Sequence, residues 1–266
     1  MPDHERTPRP VAIAQHVSHA YGDGAVPVLD DVSLDLAGGD VTVVVGPNGS
    51  GKSTLLGIMA GVQVPSSGSV ERASSVDGHG EADTRTDDPA DRRARTVGWL
   101  PQQLAPRGSF TVRETLAFYA GLVDGGPTPD EAIDRVGMTG VADRSVDALS
   151  GGMRRLLGVA LATVGDPPLL VLDEPTSGLD PTMTMRIFDV LADLAADGRA
   201  VVCSSHDLAA VERTADTVVL LDRGTIQSRG SPGAVAADVG AASLVEAFDG
   251  AFETRGETTV RHRAGP

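Results

Sequence analysis

The chain has 266 residues, 41% of them hydrophobic, which suffices for one large domain or a domain with a subdomain and a tail. Its 37 acidic residues outnumber 22 basic ones, and the formal charge of −15 repels nucleic-acid phosphates, so DNA and RNA are not expected partners. No run reaches the roughly 18 apolar residues of a membrane-spanning helix, and Pro2 to Arg6 lack the apolar centre of a secretion signal, so a cytoplasmic chain is expected.

In chain order, Val11 to Val17 and Val32 to Leu36 read as strands flanking the turn-rich Tyr21 to Pro27. Val41 to Val45 is a continuous β-branched run, as in a buried parallel strand, and a glycine-rich loop then opens a helix near Ser53. The polar stretch at about 73–95 predicts a surface excursion, and the helical patterns broken by Gly and Pro from Thr111 to Asp147 predict a small helical insert within about 104–152. Helix Gly152 to Thr163, strand Leu169 to Leu172, helix Thr182 to Ala196 and strand Ala200 to Ser204 follow. This alternation predicts a mainly parallel α/β sheet. Thr217 to Leu221 and Thr225 to Arg229 read as a closing hairpin around Asp222-Arg223-Gly224, then a short helical stretch with Leu244, Val245 and Phe248, then a polar tail from Thr254. The expected organisation is an N-terminal extension over 1–10, a main domain over 11–232, and a helical segment with tail over 233–266. The single cysteine, Cys203, has no partner in the chain and sits in an apolar run, so it reads as a core residue.

Gly46-Pro47-Asn48-Gly49-Ser50-Gly51-Lys52-Ser53, followed by Thr54, fits G-x-x-x-x-G-K-[ST] between a buried strand and a helix, the context that a phosphate-binding P-loop requires. Glycines let backbone N–H groups face phosphate oxygens, the helix N-terminus adds a positive dipole, and the lysine ammonium bridges the outer phosphates. The Ser53 hydroxyl would sit on Mg²⁺. Lys52 is the chain's only lysine. A sequence that otherwise uses arginine keeps a compact point charge here, where a broad guanidinium fits poorly. A high-salt cytoplasm and a GC-rich genome account for the scarcity of lysine elsewhere about equally well. Strand Leu169 to Leu172 ends in Asp173 and Glu174, at the carboxyl edge where α/β sheets place ligands. Asp173 is positioned to hold Mg²⁺ through its water shell, and Glu174 to polarise the attacking water.

Over about Val11 to Pro232 the chain resembles the ATP-binding subunits of ATP-binding cassette (ABC) transporters. Leu149-Ser150-Gly151-Gly152-Met153, just before the Asp173 strand, is similar to the family's LSGGQ signature. The resemblance implies ATP and Mg²⁺ as cofactors. It also implies a P-loop fold with a mainly parallel sheet, an N-terminal antiparallel β subdomain and a helical signature subdomain. In the family the signature of one subunit closes on the nucleotide held by the P-loop of another, which implies a dimer, expected to be a homodimer, around two ATP molecules. Ser150, Gly151 and Gly152 would then meet the γ-phosphate through a hydroxyl and backbone N–H groups. Met153 departs from the usual glutamine and removes that amide's donor.

The resemblance assigns other positions singly. Tyr21 matches the aromatic that stacks on adenine, although a tyrosine before a Gly-Asp-Gly turn would serve equally as packing. Gln102 matches the glutamine that touches Mg²⁺ and the attacking water, with Gln103 leaving the assignment open by one residue. Ser177-Gly178-Leu179-Asp180 matches the D-loop, through which subunits communicate, and His206 the switch histidine at the γ-phosphate. The implied partner is a separate transmembrane permease gripped between Gln102 and the helical insert, which would hold the chain on the inner face of the membrane. Ser150 to Arg155 and Ser243 to Phe248 resemble ABC-2 type exporter ATPases in particular. A soluble ABC ATPase that drives macromolecular or cofactor assembly is the alternative.

Overall fold

The structure, a computed structural model, describes residues 10–22, 24–73 and 95–252. Residues 1–9 of the expected extension over 1–10, most of the polar excursion and the tail from Thr254 lie outside these residues, and Pro10 already belongs to the first strand. Strand β1 (Pro10–His19) runs at the centre of a three-stranded antiparallel sheet, between β2 (Leu29–Ala37) and β4 (Ser67–Arg72). In β2, Leu29, Val32, Leu34 and Leu36 are buried and the residues between them are mostly exposed, the period-two pattern of a strand with one face on the core.

The second sheet contains β3 (Val41–Val45), β5 (Val97–Leu100), β6 (Leu169–Leu172), β7 (Ala200–Ser204), β8 (Thr217–Asp222) and β9 (Thr225–Gly230), in the order β5-β6-β7-β3-β8-β9. All neighbours are parallel except β8 and β9, which form the antiparallel hairpin. Every residue of β3, β6 and β7 is buried, because both faces of this sheet are covered, and that is why these strands read as unbroken apolar runs.

Helix α1 (Lys52–Met59) lies between the two sheets. Its Leu55, Leu56, Ile58 and Met59 pack with Leu34 and Leu36 from one sheet and Val44, Val171 and Val202 from the other. The opposite face of the large sheet, with Val43, Val45, Leu172 and Cys203, packs against α4 (Gly151–Thr163), α5 (Pro181–Ala196) and α6 (Leu208–Thr214). Burial pushes the Cys203 thiol up to about 12, in keeping with a core side chain.

The helical insert consists of α2 (Val112–Ala120), α3 (Pro129–Arg135) and two 3-10 turns at Thr139–Val141 and Val146–Ala148. Both α2 and α3 begin in capping boxes, Thr111 with Glu114 and Thr128 with Glu131, in which each threonine and glutamate satisfies the other's backbone N–H. After the hairpin, α7 (Pro232–Asp238) and α8 (Leu244–Phe252) bury Val235 and Leu244 in the same core as α4 to α6.

Candidate active site

Strand β3 sits between β7 and β8, so the loop that leaves it emerges at the middle of the sheet's carboxyl edge. Three loop glycines answer different demands. A Cβ on Gly46 would lie 2.1 Å from the Leu221 carbonyl of β8, whereas Gly49 and Gly51 hold φ of 81° and 105°, the left-handed region open to glycine. Pro47 and the exposed Asn48 form the tip. Lys52 arches back over the loop and donates from Nζ to the Gly46 carbonyl at 2.8 Å and the Pro47 carbonyl at 3.1 Å. Burial pushes its pKa down, while the charges of Glu174 and Asp173 push it up. The loop and the two carboxylates therefore share one electrostatic environment.

Helix α1 opens on Gly51 with no side-chain cap, so its first-turn N–H groups are left for an anion. The Ser50 hydroxyl is buried with no hydrogen-bond partner among the described residues. Ser53 is exposed, and the buried Thr54 has its Oγ1 3.0 Å from the Tyr21 hydroxyl. A cradle of glycines, an orphaned hydroxyl, an uncapped helix and a buried ammonium fit a polyphosphate.

The register that pairs Leu172 with Cys203 sets Asp173 beside Ser204. Ser204 Oγ donates to Asp173 Oδ1 at 2.7 Å and accepts from the Glu174 N–H at 2.8 Å. Sequence reasoning does not single out this serine as a functional residue; its only signal is a place at the end of a strand that pairs with the acid-tipped one. Glu174 holds a positive φ of 47°, uncommon for a residue with a side chain, and His206 Nε2 lies 2.7 Å from its Oε1. With His206, Ser177 and Gly178, Glu174 lines a cleft of about 540 Å³ that Val245 of α8 closes on one side. Arg155 of α4 also faces the carboxylates: burial pushes its pKa down, and Glu174 and Asp173 push it up. Gln102 and Gln103 are both exposed just past β5, whose Leu100 carbonyl accepts from the Asp173 N–H at 2.8 Å.

Ser150 is the N-cap of α4, and its Oγ accepts from the Met153 N–H at 3.2 Å. The hydroxyl proton is still available to a phosphate oxygen. Gly152 is pressed against α5, where an added Cβ would come within 2.6 Å of Met183 Cε. Met153 packs on the core, which gives its thioether a place that a glutamine amide would not fill as well. Asp180 caps α5 by accepting from the N–H groups of Thr182 and Met183. The structure thus brings the signature close to the D-loop. Among the described residues no hydrogen bond joins 150–152 to the loop at 46–54.

Mg²⁺ takes oxygen ligands, commonly one or two carboxylates together with substrate phosphates. The Ser53 hydroxyl and Asp173 fit that donor set. Among the described residues no cluster of three or more His, Cys, Asp or Glu builds a separate metal cage.

A mainly parallel sheet with a glycine-cradled lysine at its centre and an acidic pair at the end of β6, one strand removed from β3, defines a P-loop nucleoside triphosphatase. Comparison with known proteins carries this further. A family model described as "ABC transporter" matches residues 29–177. The zinc import ATP-binding protein ZnuC of Paracoccus denitrificans is 36% identical over 231 residues, 86% of this chain and 82% of that protein. The Nod factor export ATP-binding protein I of Bradyrhizobium diazoefficiens is 32% identical over 243 residues, 88% and 74% of the two chains. Among solved structures, a dimeric ATP-binding cassette in a post-hydrolysis state bound to ADP and Pi superposes with a TM-score of 0.68 at 24% identity, covering 83% of this chain and 98% of that one. The chain belongs to the ABC transporter family, as an ATP-binding subunit with ATPase activity. Among the described residues no helix is long and apolar enough to cross a membrane.

Proposed function

We propose that this chain dimerises around two ATP molecules and powers transport through a separate transmembrane permease. The observation that carries the reading is the contact between Glu174 and His206, 2.7 Å apart, at the edge of a cleft, with the Glu174 charge acting on Lys52 of the phosphate loop. Glu174 acts as the base that polarises the attacking water, and His206 orients its carboxylate. Lys52, Ser50 and the first-turn N–H groups of α1 hold the phosphates. Ser53, Asp173 and Gln102 hold Mg²⁺, which supplies charge neutralisation on the phosphate oxygens when bound.

Among the described residues no hydrogen bond ties Ser150 or the N-terminus of α4 to the phosphate loop of the same chain, which supports their serving the nucleotide of a second copy. The similar cassette bound to ADP and Pi is itself dimeric, which supports the same arrangement. Closure of such a dimer by ATP is a population shift driven by the nucleotide's greater affinity for the closed state. For the permease, support comes from the helical insert. Phe118, Tyr119 and Leu122 are 48%, 40% and 65% exposed, and the Arg107 guanidinium stands 5.5 Å from the Phe110 ring centroid and 5.9 Å from that of Phe118. Such an apolar patch suits a docked segment of a membrane protein. An ABC-2 type exporter is the finer reading, carried by the resemblance of Ser150 to Arg155 and Ser243 to Phe248.

The variant Glu174→Gln tests the core of this proposal. ATP binding should persist, turnover should fall by about 10²-fold or more, and light scattering should find an ATP-dependent dimer. Hydrolysis at the wild-type rate would remove Glu174 as the base, and a monomer at saturating ATP would remove the dimer.

A further inference from the structure

The loop that carries Tyr21 is pinned at its stem. The His19 carbonyl accepts from the Val28 N–H at 2.7 Å, and the Ala20 N–H donates to Ser66 Oγ at 3.2 Å. At its far end the Tyr21 hydroxyl lies 3.0 Å from Thr54 Oγ1, in the first turn of α1, and accepts from Gln63 Nε2 at 3.2 Å. Tyr21 nevertheless remains 59% exposed, open to a planar ligand.

His19 supplies the remaining contact. Its imidazole meets the Tyr21 ring edge-on, with centroids 4.8 Å apart and planes at 86°. Both imidazole nitrogens are shielded from solvent, and neither has a hydrogen-bond partner among the described residues. Polar atoms buried without partners are costly, and a leucine would fill the same space without that cost. An edge-on pair recovers part of it through the quadrupole of the facing ring.

We infer that His19 is a positioning residue for the nucleotide base. It holds Tyr21 upright at the end of a tie that runs through the Tyr21 hydroxyl to Thr54, so base stacking and phosphate binding share one rigid unit. This rests on the reading of Tyr21 as the base platform. Stacking senses flatness rather than the edge pattern of a base, so His19 adds affinity for ATP and GTP alike.

The test compares ATP with inorganic tripolyphosphate, which keeps the phosphates and lacks the base. Calorimetric titration with magnesium is carried out on the wild-type chain and on Tyr21→Ala, His19→Ala and His19→Phe. His19→Ala should weaken ATP binding roughly two- to tenfold, the worth of one aromatic pair, and leave tripolyphosphate unchanged. His19→Phe, which keeps an edge against Tyr21, should bind ATP as the wild type does. If Tyr21→Ala affects both ligands equally or neither, the platform reading falls. If Tyr21→Ala loses ATP selectively while His19→Ala keeps it, or while His19→Ala weakens both ligands together, the platform stands and the positioning role is overturned. Should the alanine variant be unstable, His19→Leu decides the same question: selective loss of ATP supports the role, and retained affinity overturns it.

Discussion

Ser204 serves a carboxylate and a backbone N–H with one oxygen. It donates to Asp173, which is buried at 5% exposure, and accepts from the N–H of Glu174, whose φ of 47° needs support from its surroundings. Replacing Ser204 with Ala leaves a buried carboxylate oxygen and a backbone N–H without their partner. The expected loss of stability is about 1–3 kcal/mol. On the proposed roles, turnover should fall about tenfold or more as Glu174 loses its aim, while ATP affinity, assigned to the loop and Lys52, changes little. Steady-state kinetics beside ATP titration checks this, and a loss confined to affinity would contradict it. Lys52, Asp173 and Glu174 are legible in the sequence because their spacing and neighbours are local. The role of Ser204 depends on which strand lies beside β6, and nothing local to residues 200–204 reveals that.

The same division runs through the elements. β3, β6 and β7 are legible because burial on both faces demands unbroken apolar runs, and α5 because a long amphipathic pattern follows a Pro at its first turn. Three elements escape such reading. β4 is Ser-Gly-Ser-Val-Glu-Arg, an edge strand fixed by pairing with β1 rather than by composition. β5 has four residues broken by Gly98, where a Cβ would lie 2.0 Å from the Ala162 carbonyl, and α6 has only seven residues. Strand order is likewise hidden, because crossovers through helices leave no local mark. The unforeseen β4 carries Arg72, which donates from Nε to the Met59 carbonyl at 2.9 Å and from Nη2 to the Ile58 carbonyl at 2.7 Å. It thereby satisfies the orphaned end of the helix that begins at the phosphate loop. Arg72→Met keeps much of the apolar stem and removes both bonds, so urea unfolding should register a loss of about 1.5–3 kcal/mol, the worth of hydrogen bonds to a charged group. An unchanged midpoint would mean that the β1 pairing alone holds β4 to the molecule.

At the scale of the whole molecule the two sheets grip α1, and one exposed ion pair ties their edges. Arg229 of β9 donates from Nη1 to Asp35 Oδ1 at 2.5 Å and from Nη2 to the Asp35 carbonyl at 2.8 Å, joining the large sheet to β2. The hydrogen bond from Arg229 holds the Asp35 carboxyl below its ordinary value of 3.8, and burial opposes it. Because the folded value is the lower one, the pair's contribution is complete above the ordinary value and disappears as pH falls through the folded value. The Arg229 and Asp35 side chains are 34% and 55% exposed, so screening by solvent limits the contribution to about 1 kcal/mol or less. Asp35→Asn should therefore be slightly less stable than the wild type at neutral pH, with the gap closing in acid below 3.8. Salt separates this local effect from the global one. A formal charge of −15 repels itself, so molar KCl should raise the melting temperature of both proteins while narrowing the gap between them. Melting curves across pH and KCl decide the matter. A gap that survives both acid and salt would show that Asp35 holds the sheets by packing rather than by charge.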